Sequence, residues 1–224
     1  MRNFTSSGRH ITLFGEENAG SPLVWLCTFE QEGEAVWNAC RNLHAPAFQL
    51  AAVSVRDWNG DLSPWKCART FKNGEDFAGN ADSFLRELTR GIIPEVTAQL
   101  PEPPLYHAIS GYSLAGLFAV WALYRTDVFR RAASASGSFW FPEFLEFAAA
   151  QKLAAVPDAV YFSLGDREHK TRNPVMATVQ ERTQALFAQL QAQGIPTTFE
   201  KNPGNHFQEP DLRTAKGIRW MLEI

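Results

Sequence analysis

The stretch that most constrains this chain is residues 105–118, Leu-Tyr-His-Ala-Ile-Ser-Gly-Tyr-Ser-Leu-Ala-Gly-Leu-Phe. It opens as an apolar run with β character. It closes on Leu114, Leu117, Phe118, Trp121 and Ala122, which recur at helical spacing. Between the two halves stands Gly111-Tyr112-Ser113-Leu114-Ala115-Gly116. A strand that turns this sharply into a helix strains the backbone at Ser113, so bulky side chains two positions to either side would clash. Gly111 and Ala115 meet that demand, with Ala115 standing where Gly is usual. The helix then aims its unpaired N–H groups and the positive end of its dipole back at Ser113. An oxyanion forming there would find its first donor in the backbone N–H of Leu114.

The flanking segments keep the same alternation. Residues 10–15 read as a short edge strand. Residues 23–29 read as a continuous apolar strand covered on both faces, and 48–55 as another. Between these two, residues 34–43 carry Val36, Trp37, Cys40 and Leu43 at helical spacing. Asn-Gly and Ser-Pro make 57–65 a loop, and 71–79 reads as more loop. A helix is predicted over 81–97, capped by Asn80 or Asp82 and kinked or stopped by Pro94. The helix after Ser113 is expected to run to about Arg125. Strands over 131–135, 159–165 and 197–201 then alternate with helices over 143–151, 174–193 and 212–222. This rhythm predicts an α/β fold, with a mainly parallel central sheet and helices on both faces. A single domain over residues 1–224 is expected, with no large lid domain. Right-handed crossovers gather the loops that follow the strands along one sheet edge, where ligands bind.

Composition narrows the function classes. The 224 residues are 45% hydrophobic and 12% aromatic, enough for a two-sided core, and the net charge is −3. With no Arg/Lys run, nucleic acid is not an expected partner. Cys27, Cys40 and Cys67 are odd in number and form no Cys-x-x-Cys pair, which argues against a zinc site or a disulfide framework. Cys27, within an apolar run, is expected to be a small buried hydrophobe. The N-terminal residues lack the apolar core of a signal peptide, and no apolar stretch reaches the ~18 residues of a membrane span. The expectation is a cytoplasmic protein without membrane association.

A serine hydroxyl becomes a useful nucleophile when a base takes its proton and an acceptor fixes the base's tautomer. Of five histidines, His206 is the candidate base, since it lies in Gly204-Asn-His-Phe207 just past the last strand. His10 sits on an early strand, His44 follows a helix, and His107 lies within the strand leading to Ser113 and reads as a core or sheet-face residue. The acid should follow the next-to-last strand, where Asp166 and His169-adjacent Glu168 both qualify. Asp166 is in the immediate turn and can equally cap it. Glu168 stands further on with a longer reach and is preferred. The order Ser113, Glu168, His206 is the Ser, acid, His order of the α/β-hydrolase nucleophile elbow.

These features together resemble the putative-esterase family of α/β-hydrolases, which takes in esterase D, feruloyl esterases, enterobactin-type siderophore esterases and mycolyltransferases. The resemblance rests on Gly-Tyr-Ser113-Leu-Ala-Gly, Ser136-Gly-Ser-Phe139-Trp140, Gly165-x-x-Glu168 and Gly-Asn-His206-Phe, and runs from about Leu23 to the end. It implies that the acid stands three residues past a Gly, as Glu168 does. It also implies a second oxyanion donor in the loop after the first central strand, at Phe29 or Glu30, although the Asp-Gly of many relatives is missing there. The implied activity is serine-dependent hydrolysis of a small-molecule ester with no metal or organic cofactor. Trp58, Trp65, Tyr112, Phe139 and Trp140 are candidate pocket residues. A thioesterase, acyltransferase or peptidase with the same three residues, or a silent binding protein of this fold, are the alternatives.

Overall fold

A computed structural model describes residues 1–29, 32–70 and 74–224. In chain order its strands are β1 (Arg2–Ser6), β2 (Arg9–Phe14), β3 (Leu23–Thr28), β4 (Gln49–Ser54), β5 (Lys66–Cys67), β6 (Phe77–Ala78), β7 (His107–Tyr112), β8 (Phe129–Ala135), β9 (Ala159–Gly165) and β10 (Thr197–Asn202). Its α-helices are α1 (Glu32–Asn42), α2 (Trp58–Asp61), α3 (Ala81–Glu87), α4 (Ile93–Thr97), α5 (Leu114–Ala122), α6 (Phe144–Ala150), α7 (Val179–Ala192) and α8 (Pro210–Glu223). Eight strands form one sheet in the order β1-β2-β4-β3-β7-β8-β9-β10. The β1–β2 and β2–β4 pairs are antiparallel and the others parallel.

Every residue of β3, β4 and β9 is buried, as expected of parallel strands covered on both faces. Alternate residues serve two cores. Trp25, Ile109, Ala132 and Phe162 pack with Phe84, Leu117, Phe118 and Leu186 on one face. Val24, Leu26, Ala108 and Tyr161 pack with Val36, Cys40, Ile218 and Met221 of α1 and α8 on the other. The chain builds leftward from β3 to β4, then returns to β7 on β3's other side. The carboxyl ends of β3 and β7, with Cys27 beside Gly111, are therefore the point where strand order reverses. In open α/β sheets that is where a ligand crevice forms.

Several expectations need correction. The strand over 10–15 is not the edge. Arg2–Ser6, too polar to show an apolar alternation, pairs along its length with β2 and takes that place. The expected loop over 57–65 contains α2, because Asp57 Oδ1 accepts the Gly60 N–H at 2.8 Å. Phe77–Ala78 forms a short ladder with Lys66–Cys67, and residues 71–73 of that loop lie outside the described residues. Ahead of Pro94 the helix widens into a π-turn over Leu88–Ile92, in which the Ile93 N–H reaches the Leu88 carbonyl five residues back. Proline supplies no N–H to the Arg90 carbonyl, and the wider turn absorbs that loss. Asn80 occupies the N-cap position without a side-chain bond, while Asp82 pairs with Arg125 at 2.9 Å.

Arg9 is buried, against the usual habit of its type. Its guanidinium pairs with Asp61 and Glu87, each at 2.9 Å, and lies 4.2 Å from the centre of the Phe84 ring. It ties β2 to α2 and α3 and so steadies the turn that carries Trp58. Among the described residues no helix is long and apolar enough to cross a membrane.

Candidate active site

β7 ends at Tyr112 and α5 begins at Leu114, so Ser113 alone makes the turn. It does so at φ 58° and ψ −121°, a conformation L-residues rarely adopt. Neighbouring backbone holds it there. The Ser113 N–H donates to the Ala135 carbonyl at 3.0 Å, and the Ser113 carbonyl accepts from Ser138 N–H at 3.0 Å and Leu117 N–H at 3.1 Å. Gly111 is required, since a Cβ there would lie 2.4 Å from the Ala115 carbonyl carbon and 2.6 Å from its Cβ. Alanine is accommodated at 115 because position 111 carries no side chain. Gly111→Ala is expected to lose about 3 kcal/mol of stability, read from the urea midpoint of the purified variant.

The loop after β10 presents His206 to this serine. His206 Nε2 stands 3.0 Å from Ser113 Oγ, and Nδ1 stands 2.7 Å from Glu168 Oε2. Tyr112 fixes the loop by donating its hydroxyl to the His206 carbonyl at 2.6 Å. Glu168 Oε1 accepts from the Gly165 N–H at 2.6 Å, from Ser136 Oγ at 2.7 Å and from Arg213 Nη1 at 3.2 Å. Burial by itself would raise the Glu168 carboxyl. His206 and the Gly165 and Ser136 donors outweigh burial and hold it below the usual carboxylate range. A pKa lowered on folding contributes stability above the unfolded value of about 4.3, lost as pH falls through the folded value. Asp166 does other work. Its Oδ1 accepts the Gly204 N–H at 2.8 Å and its own N–H donates to the Asn202 carbonyl at 2.8 Å, which pins the turn beside the His206 loop.

Three further residues complete the cluster: Ser136 and Ser138, which the sequence marks only as part of the Ser-Gly-Ser-Phe-Trp motif without a role, and Arg213, which it does not mark at all. Ser136, at φ 47°, bonds Glu168. Ser138 Oγ lies 3.3 Å from Ser113 Oγ. Arg213, 1% exposed on α8, donates through Nη1 to Glu168, to Ser136 at 3.3 Å and to Tyr112 at 3.3 Å, and through Nη2 to the Pro203 carbonyl at 2.8 Å. A signal for Arg213 was present. It shares a helical face with Gly217 and Met221, which is the buried face of α8.

The Leu114 N–H opens α5 next to Ser113, and the first N–H groups of a helix have no partner within it. The Phe29 N–H donates to Glu32 Oε2 at 3.2 Å, and the same oxygen accepts Thr28 Oγ at 2.6 Å. Glu30, the other candidate donor, lies outside the described residues. A cavity of about 410 Å³ opens at Ser113 and His206, with Phe29, Trp58, Tyr112 and Phe207 among its walls. Trp65, Phe139 and Trp140 are not part of this lining. The loop after β8 folds into the apolar core, where Phe139 packs on Phe144 and Phe162, Trp140 lies near Phe77, and Trp65 packs on Phe141 and Phe147. His107 is half-buried, its Nδ1 accepts the Trp25 indole N–H at 3.1 Å, and burial lowers its pKa. Burial pushes the Cys27 thiol, at the cavity floor, up to about 12. Among the described residues no group of three or more His, Cys, Asp or Glu is placed to hold a metal ion.

The sequence profile of the family described as putative esterase matches residues 33–210. The chain belongs to this esterase family. The uncharacterized protein YbbA of Bacillus subtilis (strain 168) is 22% identical to it over 233 residues, which span 96% of this chain and 93% of that one. The siderophore hydrolase EstA from Aspergillus nidulans has a TM-score of 0.74 at 19% identity, over 99% of the esterase and 93% of EstA. An IroE-like serine hydrolase from Shewanella oneidensis has a TM-score of 0.76 at 18% identity, over 96% of the esterase and 75% of that chain. The esterase has the α/β-hydrolase fold, with a mostly parallel sheet and no large lid.

Proposed function

We propose that this esterase cleaves carboxylic esters through Ser113, His206 and Glu168 by way of an acyl-enzyme. One observation carries the reading, the unbroken line of contacts from Glu168 Oε2 to His206 Nδ1 at 2.7 Å and from His206 Nε2 to Ser113 Oγ at 3.0 Å. Ser113 Oγ attacks the ester carbonyl carbon as His206 takes its proton, and Glu168 holds and stabilises the imidazolium. The Leu114 N–H receives the oxyanion. The Phe29 N–H joins it once the substrate oxygen replaces the Glu32 carboxylate there. His206 then protonates the leaving alcohol. Water then attacks the acyl-Ser113 carbonyl while giving a proton to His206, and His206 returns that proton to Ser113 Oγ as the C–O bond breaks, releasing the acid and the free serine. EstA is by name a siderophore hydrolase, so siderophore-type esters belong among the first substrates to try. The three cysteines, none of them in a disulfide, fit the reducing, cytoplasmic compartment of this reading.

A fluorophosphonate probe and p-nitrophenyl acetate and butyrate test the proposal. Wild type is expected to turn over both esters and to carry the label on the peptide containing Ser113, and Ser113→Ala to do neither. Wild-type protein that neither cleaves the esters nor takes the label would sink the mechanism.

A further inference from the structure

We propose that Glu32 makes this site select esters by charge, favouring a substrate with a cationic group, such as an ammonium, and turning away one with an anionic group. The proposal rests on the esterase reading above and names a substrate class within it.

The cavity at Ser113 has an uneven electrostatic lining. Besides Cys27, Tyr112 and His206, its titratable groups are the carboxylates of Glu32 and Asp211, and among the described residues no Lys or Arg borders it. Its remaining wall suits an organic cation. Phe29 and Trp58 stack with ring centres 4.1 Å apart, and Phe207, 85% exposed, stands at the mouth. Aromatic faces attract ammonium groups, more strongly where the cation is shielded from water.

Of these two acids, Glu32 is the one that hydrogen bonds hold at the end of the strand beside the nucleophile. Its Oε2 accepts both the Thr28 hydroxyl and the Phe29 N–H, at the carboxyl end of β3. β3 is the strand hydrogen-bonded to β7, with Cys27 opposite Gly111, two residues before Ser113. Adjacent strands lie about 4.8 Å apart, so the carboxylate is fixed one strand away from the turn that carries the nucleophile. A substrate oxygen that takes the Phe29 N–H displaces this carboxylate into the cavity. There a cationic group on the substrate pairs with it, and an anionic group is repelled. Of metal-chelating esters, those with net negative charge are the ones such a lining excludes.

The same two hydrogen bonds also join Glu32 to the start of α1, which by itself would be a helix-capping role. Glu32→Gln separates the two roles, because the amide oxygen still accepts from Thr28 and Phe29 while the charge is gone. Two substrate series are needed, since either side of the ester can occupy the cavity. In the acyl series, p-nitrophenyl esters of 4-(trimethylammonio)butanoate, its neutral isostere 5,5-dimethylhexanoate and hemiglutarate are compared. In the alcohol series, acetylcholine is compared with 3,3-dimethylbutyl acetate. In at least one series wild type is expected to favour the cationic over the neutral ester in kcat/KM by about tenfold and, where that is the acyl series, the neutral over the anionic ester by as much again. Glu32→Gln is expected to bring that ranking near unity at an unchanged Tm, and added salt to compress it in wild type. Wild type that cleaves the neutral esters but ranks all charges alike in both series, or a Glu32→Gln variant that keeps the ranking, overturns the charge proposal and leaves the mechanism standing. No cleavage together with no fluorophosphonate labelling of Ser113 overturns both.

Discussion

Ser113→Ala and His206→Ala are each expected to lower kcat by about 10⁶-fold, and Glu168→Gln by about 10⁴-fold, while Asp166→Asn stays within about threefold of wild type. The ladder follows from what each group touches. Without the Ser113 hydroxyl no acyl-enzyme forms, and without His206 nothing takes the proton, so either loss removes the whole route. Glu168→Gln keeps the shape of the side chain. However, it replaces a buried carboxylate, 4% exposed and 2.7 Å from Nδ1, by an amide that does not stabilise the imidazolium and admits the wrong tautomer. Asp166→Asn keeps an oxygen to accept the Gly204 N–H, the bond Asp166 makes in the structure. Steady-state kinetics on p-nitrophenyl butyrate measure all four. If Asp166→Asn loses more kcat than Glu168→Gln, the acid has been assigned to the wrong carboxylate. Glu168→Gln is also expected to flatten the acid limb of the stability curve, because the group whose lowered pKa feeds that limb is gone.

What could be read from the sequence, and what could not, divides along a physical line. Ser113 sits where a strand pattern meets a helix pattern, and His206 and Glu168 stand in short loops after strands. Local periodicity and chain order were enough to nominate them, and the fold then brings their side chains within hydrogen-bond distance. The central strands were legible for a similar reason, since burial on both faces leaves a continuous apolar run such as Leu23–Thr28. The edge strand Arg2–Ser6 was not, because its pairing with β2 owes nothing to an apolar pattern. Nor could the sequence separate Trp58, which borders the cavity, from Trp65, Phe139 and Trp140, which pack in the core. All four pack on the same apolar cluster, and an aromatic residue in a loop carries no record of whether the fold turns it toward a cavity or away from one. Arg9 and Arg213 were missed because each acquires its role from partners far away in the chain. Arg9 meets Asp61 and Glu87, and Arg213 meets Glu168, Tyr112 and Pro203.

Arg213→Ala is expected to cost about 3–5 kcal/mol, the range for leaving a buried charge without its partner. At about 2–4 °C per kcal/mol for a chain of this size, that lowers Tm by about 6–20 °C. Three losses coincide. The Glu168 carboxylate loses the only arginine among its described contacts, the Pro203 carbonyl loses the donor that holds the strand-to-loop turn, and Tyr112 loses a donor while it supports the His206 carbonyl. Arg213→Lys should recover less than half of the loss, because one ammonium cannot reproduce the separate bonds of Nη1 and Nη2. Tyr112→Phe, which removes a single hydroxyl, should cost only about 1 kcal/mol. The acid side supplies an independent check. Without the nearby guanidinium the Glu168 carboxyl rises, so the stability it contributes is lost at a higher pH than in wild type. Thermal melts from pH 3 to 7 on the three variants measure both effects. An Arg213→Ala variant that melts with wild type across that range would show the guanidinium to be dispensable to the site.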